Sequence, residues 1–195
     1  MAKLYFSYAT MNAGKSTLLL QASYNYRERG MRTAILIASF DDRAGQGRIS
    51  SRIGLTSEAI AFDHADDLYK HVEELNGDGG GEIACVFVDE AQFLSEEQVW
   101  QLARVADRLH IPVMAYGLRT DFQGKLFPGS QALLAIADEL REVRTICHCG
   151  RKATMVVRLG ADGKVAREGA QVEIGGNDKY VSYCRRHWDD IMNAD

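Results

Sequence analysis

The segment Ala9-Thr10-Met11-Asn12-Ala13-Gly14-Lys15-Ser16-Thr17 has the residue types of a phosphate cradle. It fits A-x-x-x-x-G-K-S, the Walker A pattern with Ala9 in place of the first glycine. Backbone N–H groups from Asn12 to Lys15 would hold phosphate oxygens, and Gly14 would let the main chain approach them closely. Lys15 would reach the β/γ oxygens, and the Ser16 hydroxyl would bind Mg²⁺. Further along, Val86-Phe87-Val88-Asp89-Glu90 is an apolar run closed by two acids, the Walker B shape. Asp89 is expected to hold Mg²⁺, and Glu90 to face an acceptor hydroxyl or a water; Ala91 and Gln92 complete the expected nucleotide-binding set. Together the motifs predict nucleoside-triphosphate binding. They do not choose the reaction: Glu90 could activate water, giving an ATPase, or deprotonate a substrate hydroxyl, giving a kinase.

A second group of residues has metal chemistry. Cys147-His148-Cys149 and Cys184-Arg185-Arg186-His187 form a C-x-C…C-x-x-H set. Tetrahedral zinc takes four N/S ligands, and two paired knuckles supply them. The preferred ligands are Cys147, Cys149, Cys184 and His187, with His148 as a substitute. Four protein ligands leave no open position, so the zinc is expected to be structural. Zinc contributes about 10–16 kcal/mol in small zinc-folded peptides, enough to hold a small β unit. Cys85, inside an apolar run, reads as an inert core residue. His64, His71 and His110 read as surface residues, and Trp100 and Trp188 carry no signal.

These groups need elements to position them. Strands are expected at 3–8, 33–39, 83–88 and 112–117. Helices are expected from Thr17 to Gly30 and at 66–75, 95–109 and 129–139. Segment 41–57 reads as a loop, and the glycine-rich 77–82 as a flexible connection. Strands alternating with helices predict an α/β fold, a parallel sheet with helices on both faces. After about residue 145 the texture changes to short strands with turns at Asp162-Gly163 and Gly175-Gly176-Asn177, and a final segment from His187 expected to fray. Two units follow: 1–145 handling the nucleotide, and 146–195 built around zinc.

The chain has 195 residues, 46% hydrophobic and 26% charged, with a formal net charge of −4. That is ordinary globular composition, sufficient for one domain plus an appendage without disulfides. The acidic balance argues against a nucleic-acid partner. No apolar run approaches a membrane span, and the N-terminus does not read as a signal peptide, so a cytoplasmic protein is expected.

The stretches MNAGKST, VDEAQF, YGLRTDF, TICHCGRKA, EIGGNDKYVSYC and CRRH, in this order, resemble the zinc-containing thymidine kinases of the cellular and bacterial type, across essentially the whole chain. The resemblance implies a RecA-like P-loop domain with a mostly parallel sheet, plus a small zinc-binding β domain whose lasso loop covers the nucleoside. It implies transfer of the ATP γ-phosphate to the 5′-hydroxyl of thymidine or deoxyuridine, in pyrimidine deoxynucleotide salvage. Glu90 is then the catalytic base, with Lys15 and Arg43 at the transferred phosphate and Asp41 matching an acid beside Arg43. Met11, Phe93, Leu118, Phe122 and Phe127 match residues lining the base and sugar pocket, and Tyr180 matches a tyrosine near the deoxyribose. The stretch Gln171, Val172, Glu173, Ile174, Gly175 matches the lasso, which would read the pyrimidine edge through backbone groups. A homotetramer is also implied. The rival reading, a nucleic-acid-dependent ATPase, shares the P-loop core and zinc knuckles but not the acidic charge.

Overall fold

The computed structural model describes residues 1–39, 47–160, 162–172 and 179–194. In chain order the elements are β1 (Leu4–Ala9), α1 (Lys15–Glu28), β2 (Arg32–Ala38), β3 (Arg48–Ser50), β4 (Thr56–Glu58), β5 (Ile60–Phe62) and α2 (Leu68–Gly77). Then come β6 (Ile83–Val88), a 3-10 turn (Ala91–Phe93), α3 (Glu96–Arg108), β7 (Val113–Leu118), α4 (Pro128–Ile136) and β8 (Glu139–Glu142). The C-terminal part holds β9 (Thr145–Ile146), β10 (Lys152–Ala153), β11 (Met155–Leu159), β12 (Val165–Ala166), β13 (Tyr180–Tyr183) and α5 (Arg185–Met192).

The main sheet has the order β5-β2-β6-β7-β1-β8, and every pairing in it is parallel. Its central strands β6 and β7 carry no charged residue and are almost wholly apolar because both faces are covered. Alternation assigns the residues: Ala34, Leu36, Val86, Val88, Val113 and Ala115 pack toward α2, α3 and α4, whereas Ile35, Ile37, Cys85, Phe87 and Tyr116 pack against Leu19 and Leu20 of α1. The helix starts are set locally. Asp67 caps α2 by accepting from Tyr69 and Lys70 N–H. Ser95 and Gln98 form a reciprocal capping box at α3. The Walker A strand β1 lies beside β7, and the Walker B strand β6 beside β7, so both carboxyl ends open on one edge of the sheet, where such sheets bind ligands.

Four sequence expectations are corrected. Within 41–57, the described residues form an antiparallel hairpin, Arg48↔Glu58 to Ser50↔Thr56, followed by the unforeseen strand β5. The hairpin is anchored by Ile49, fully buried against the α1 face of the sheet. The helix expected at 129–139 ends at Ile136, and Glu139–Glu142 instead adds an edge strand to β1. Its charged side chains suit an edge: Glu139 pairs with Lys3 and Arg141, and Arg141 covers the Tyr5 ring. The glycine-rich 77–82 connection is pinned by Arg32, whose guanidinium bonds Asp78 and the carbonyls of Leu75 and Gly81. The C-terminal segment expected to fray forms α5, because the Trp188 indole N–H donates to the carbonyls of Phe122 and Val156.

A three-stranded antiparallel sheet, β12-β11-β13, and the β9/β10 pair make up the C-terminal part. The hairpin expected at Asp162-Gly163 is present between β11 and β12; the one at Gly175-Gly176-Asn177 lies outside the described residues. No helix among the described residues is long and apolar enough to cross a membrane.

Candidate active site

The phosphate loop joins β1 to α1. Ala9 ends β1 in register with Leu118 and has no positive φ, so the missing Walker glycine costs no strain. Gly14 is the N-cap of α1 at φ +85, and a Cβ there would meet nothing within 4 Å. Glycine is favoured by that left-handed conformation and not by crowding. With no capping side chain, the first-turn N–H groups of α1 are left for an anion, at the positive end of the helix dipole.

A cleft of about 270 Å³ opens over this loop, lined by Met11 through Thr17, by Asp89, Glu90 and Leu118, and by Arg48, Ser50, Ser51 and Arg52 of the hairpin. Lys15 is buried and donates to the Thr10 carbonyl at 3.4 Å. Ser16 Oγ donates to Asp89 Oδ2 at 2.8 Å. Asp89 Oδ1 is buried and has no hydrogen-bond partner among the described residues. Burial first, and the neighbouring Glu90 charge second, push the Asp89 carboxyl up to about 7. A buried carboxylate oxygen without a donor, beside a hydroxyl and next to a phosphate cradle, fits a hard divalent cation.

Glu90 follows the last strand residues in the left-handed region, φ +50. Its Oε2 accepts from Gln92 Nε2 at 2.6 Å, and Gln92 Oε1 accepts from Leu118 N–H at 2.9 Å. Gln92 is 1% exposed, so its two ends lock Glu90 to the end of β7. Ala9, Thr10, Ala91 and Gln92, expected among the nucleotide ligands, do not line the cleft; Thr17 and the rest of the Walker A set do. Two glycines allow the packing behind Glu90. A Cβ on Gly117 would lie 2.9 Å from Gln92 N, and one on Gly129 only 2.5 Å from the Ala91 carbonyl oxygen.

Beside the cleft, Phe93 and Phe127 meet edge to face with centroids 5.8 Å apart, and Phe122 is buried. The Arg158 guanidinium lies 3.9 Å over the Phe122 ring and donates to the carbonyls of Ala170 and Glu168. Gln171 Nε2 donates to Asp121 Oδ2 and the Leu126 carbonyl, so this side chain anchors the start of the expected lasso. Val172 is exposed. Asp41, Arg43, Glu173, Ile174 and Gly175 lie outside the described residues.

At the far end of β13, Cys147, Cys149, Cys184 and His187 place their ligand atoms within 4.8 Å of one another. The C-x-C pair sits in the β9–β10 turn, closed by Gly150 N–H to the Cys147 carbonyl; Cys184 caps α5, and His187 occupies its first turn. Cys149 and Cys184 sulfurs are 3.9 Å apart, and His187 Nδ1 is 3.4 and 3.5 Å from Cys147 and Cys184 sulfurs. A tetrahedron of roughly 2.3 Å zinc–sulfur bonds has edges near 3.8 Å, so zinc fits. Desolvation opposes the Cys147 thiolate, but backbone N–H groups of Cys149 and Cys184 and the His187 ring bring it down to about 6, a ligand's charge state. His148 instead stacks on His187 at 4.3 Å.

Sequence reading missed Arg48 and Arg52, Asp121 and Arg158, and Trp188. Arg158 could have been found as a lone cation in the apolar run MVVRL; the others carry no local signal.

This combination, a P-loop strand one strand removed from a Walker B strand with a positioned carboxylate, defines a nucleoside-triphosphate-binding enzyme of the P-loop class. A family model described as "Thymidine kinase" matches residues 2–188. Proteins named thymidine kinase from Rhizobium meliloti (strain 1021), Rhizobium etli and Agrobacterium fabrum are 84%, 72% and 71% identical to it, covering 98%, 100% and 100% of this chain and 98%, 96% and 100% of their own. The chain belongs to the thymidine kinase family. Among solved structures, the Pif1 helicase from Candida albicans overlaps 75% of this chain and 36% of its own at 15% identity and TM-score 0.40, too loosely to bear on function.

Proposed function

We propose that the chain transfers the γ-phosphate of ATP to the 5′-hydroxyl of thymidine, and of deoxyuridine, in deoxynucleotide salvage. The observation that carries this reading is Glu90, braced by buried Gln92 in a cleft that Lys15 shares with Met11 and Leu118. Nucleotide-holding and nucleoside-facing residues thus meet at one carboxylate. Family membership supports the same substrates.

In this reading the α1 N-terminus and Lys15 bind the triphosphate. Glu90 accepts the 5′-hydroxyl proton as the oxygen attacks the γ-phosphorus in line. Asp89 and Ser16 would hold Mg²⁺, which when bound supplies charge neutralisation at the β/γ oxygens. Arg43 is assigned to the transferred phosphoryl and Asp41 beside it, on the sequence alone. Phe93, Phe122 and Phe127 enclose the base, Tyr180 approaches the sugar, and Gln171 through Gly175 are assigned to the pyrimidine edge on the sequence alone. Residues 146–195 act as a zinc-held lid over the P-loop unit of 1–145, excluding water. Cysteine thiolates would hold that zinc with His187, and its chemistry is structural. A cytoplasmic homotetramer completes the reading, with sedimentation equilibrium as the check on assembly.

The test is ADP release measured in parallel with thymidine, deoxyuridine, deoxycytidine, single-stranded DNA and no acceptor. Release confined to thymidine and deoxyuridine supports the reading; release driven by DNA, or equal without acceptor, defeats it.

A further inference from the structure

Strand β13 reaches across to the phosphate loop at two alternate residues. The Ser182 hydroxyl donates to the Met11 carbonyl at 2.6 Å, and the Tyr180 carbonyl accepts from Asn12 Nδ2 at 3.4 Å. Thr10 Oγ1 lies 3.4 Å from Ser182 Oγ and 3.1 Å from the Met155 carbonyl on β11. A hydroxyl has one proton. Ser182 spends its proton on Met11 and Thr10 spends its own on the Met155 carbonyl, so the two hydroxyls only lie alongside one another. Thr10, Met11 and Asn12 are therefore all held from the C-terminal sheet. Asn12 sits at φ +61, a left-handed conformation that asparagine adopts more readily than other non-glycine residues, and the Tyr180 carbonyl receives its side chain there.

Two residues from Ser182 the same strand carries Tyr180, which the proposed function sets against the deoxyribose. One strand thus carries the tyrosine assigned to the sugar and touches the phosphate cradle. We propose that Ser182 is a positioning residue coupling the two substrate sites, so that ATP and thymidine each tighten the other's binding. The inference rests on the thymidine-kinase reading of the site. Nucleoside binding against Tyr180 would fix β13; through Ser182 that fixes the Met11 carbonyl, and with it the loop whose N–H groups hold phosphate. By linkage the effect on affinity is the same in both directions.

The experiment is calorimetric titration of the full-length, zinc-loaded protein with a non-hydrolysable ATP analogue and Mg²⁺, with and without saturating thymidine. In the wild type the analogue is expected to bind on the order of tenfold more tightly when thymidine is present, within the usual range of such couplings. In Ser182→Ala the ratio falls to within about twofold of unity, while zinc content and thymidine affinity alone are retained. Ser182→Thr, which keeps the hydroxyl, retains the wild-type ratio. Thr10→Val removes the loop's second hold, its bond to the Met155 carbonyl on the strand paired with β13, and also lowers the ratio, so a folding defect in one variant does not decide the matter. A wild-type ratio of unity, or an unchanged ratio in both Ser182→Ala and Thr10→Val, overturns the coupling and leaves the kinase reading standing. Failure of wild-type protein to bind either ligand overturns that reading and the coupling with it.

Discussion

Glu90 combines two features that seldom occur by chance: a left-handed backbone, costing about 1–2 kcal/mol for a non-glycine residue, and a carboxylate locked by a buried amide. Glu90→Gln keeps the shape and removes the base. Turnover is expected to fall about 10²–10⁴-fold while ATP still binds, measured by single-turnover kinetics beside equilibrium titration; near-wild-type turnover takes Glu90 out of the base role. Arg158 acts elsewhere. It is buried, stacked on Phe122, and bonded to two carbonyls where the lasso begins. Arg158→Met preserves bulk but frees Ala170 and Glu168. The KM for thymidine should rise roughly tenfold or more, from the loss of two charge-assisted bonds, with the KM for ATP nearly unchanged. Equal effects on both would assign Arg158 to general stability.

The catalytic turn between β6 and α3 is positioned by the close approach of α4. Gly129, at the second position of α4, allows it, with the carbonyls of Ala91, Leu94 and Gln92 at 2.5, 2.7 and 2.9 Å from where a Cβ would stand. Backbone cannot yield as a flexible side chain can. Gly129→Ala should therefore lower stability by about 1–3 kcal/mol and also lower kcat, because the displaced residues carry Glu90. A loss of stability in denaturant titration with unchanged kcat would separate α4 from the site. The central elements were readable from the chain because β2, β6 and β7 are buried on both faces and leave apolar runs. The hairpin RIS/TSE and the edge strand ELRE have exposed, charged faces that look like loop or helix tail. The same division holds in the site. Walker A, Walker B and the Cys/His knuckles are contiguous in sequence and were legible. The Ser182–Met11 contact joins residues 171 apart, and the Gln171–Asp121 contact residues 50 apart, so neither leaves a local pattern.

The molecule as a whole divides its four thiols between two environments, and that division makes the zinc assignment testable. Cys147, Cys149 and Cys184 converge with His187, whereas Cys85 lies in the sheet interior. Burial pushes the Cys85 thiol up to about 12, with only a partial offset from its hydrogen bond to Tyr26. The thiolate is the reactive form, so at pH 8 only about one Cys85 in ten thousand would be reactive even if reagent could reach it. Native holoprotein should then show slow reaction with a thiol-specific disulfide reagent. A strong chelator should release zinc and expose the three cluster thiols together, with loss of order after about residue 146 seen as new protease cleavage there. The parallel sheet should persist, since its apolar faces are closed by α1 on one side and α2, α3 and α4 on the other, without help from the metal. Cys85 should react only when the sheet is unfolded by denaturant. Four fast thiols on chelation would mean that the core depends on zinc; three fast thiols without chelation would mean that the cluster does not hold it.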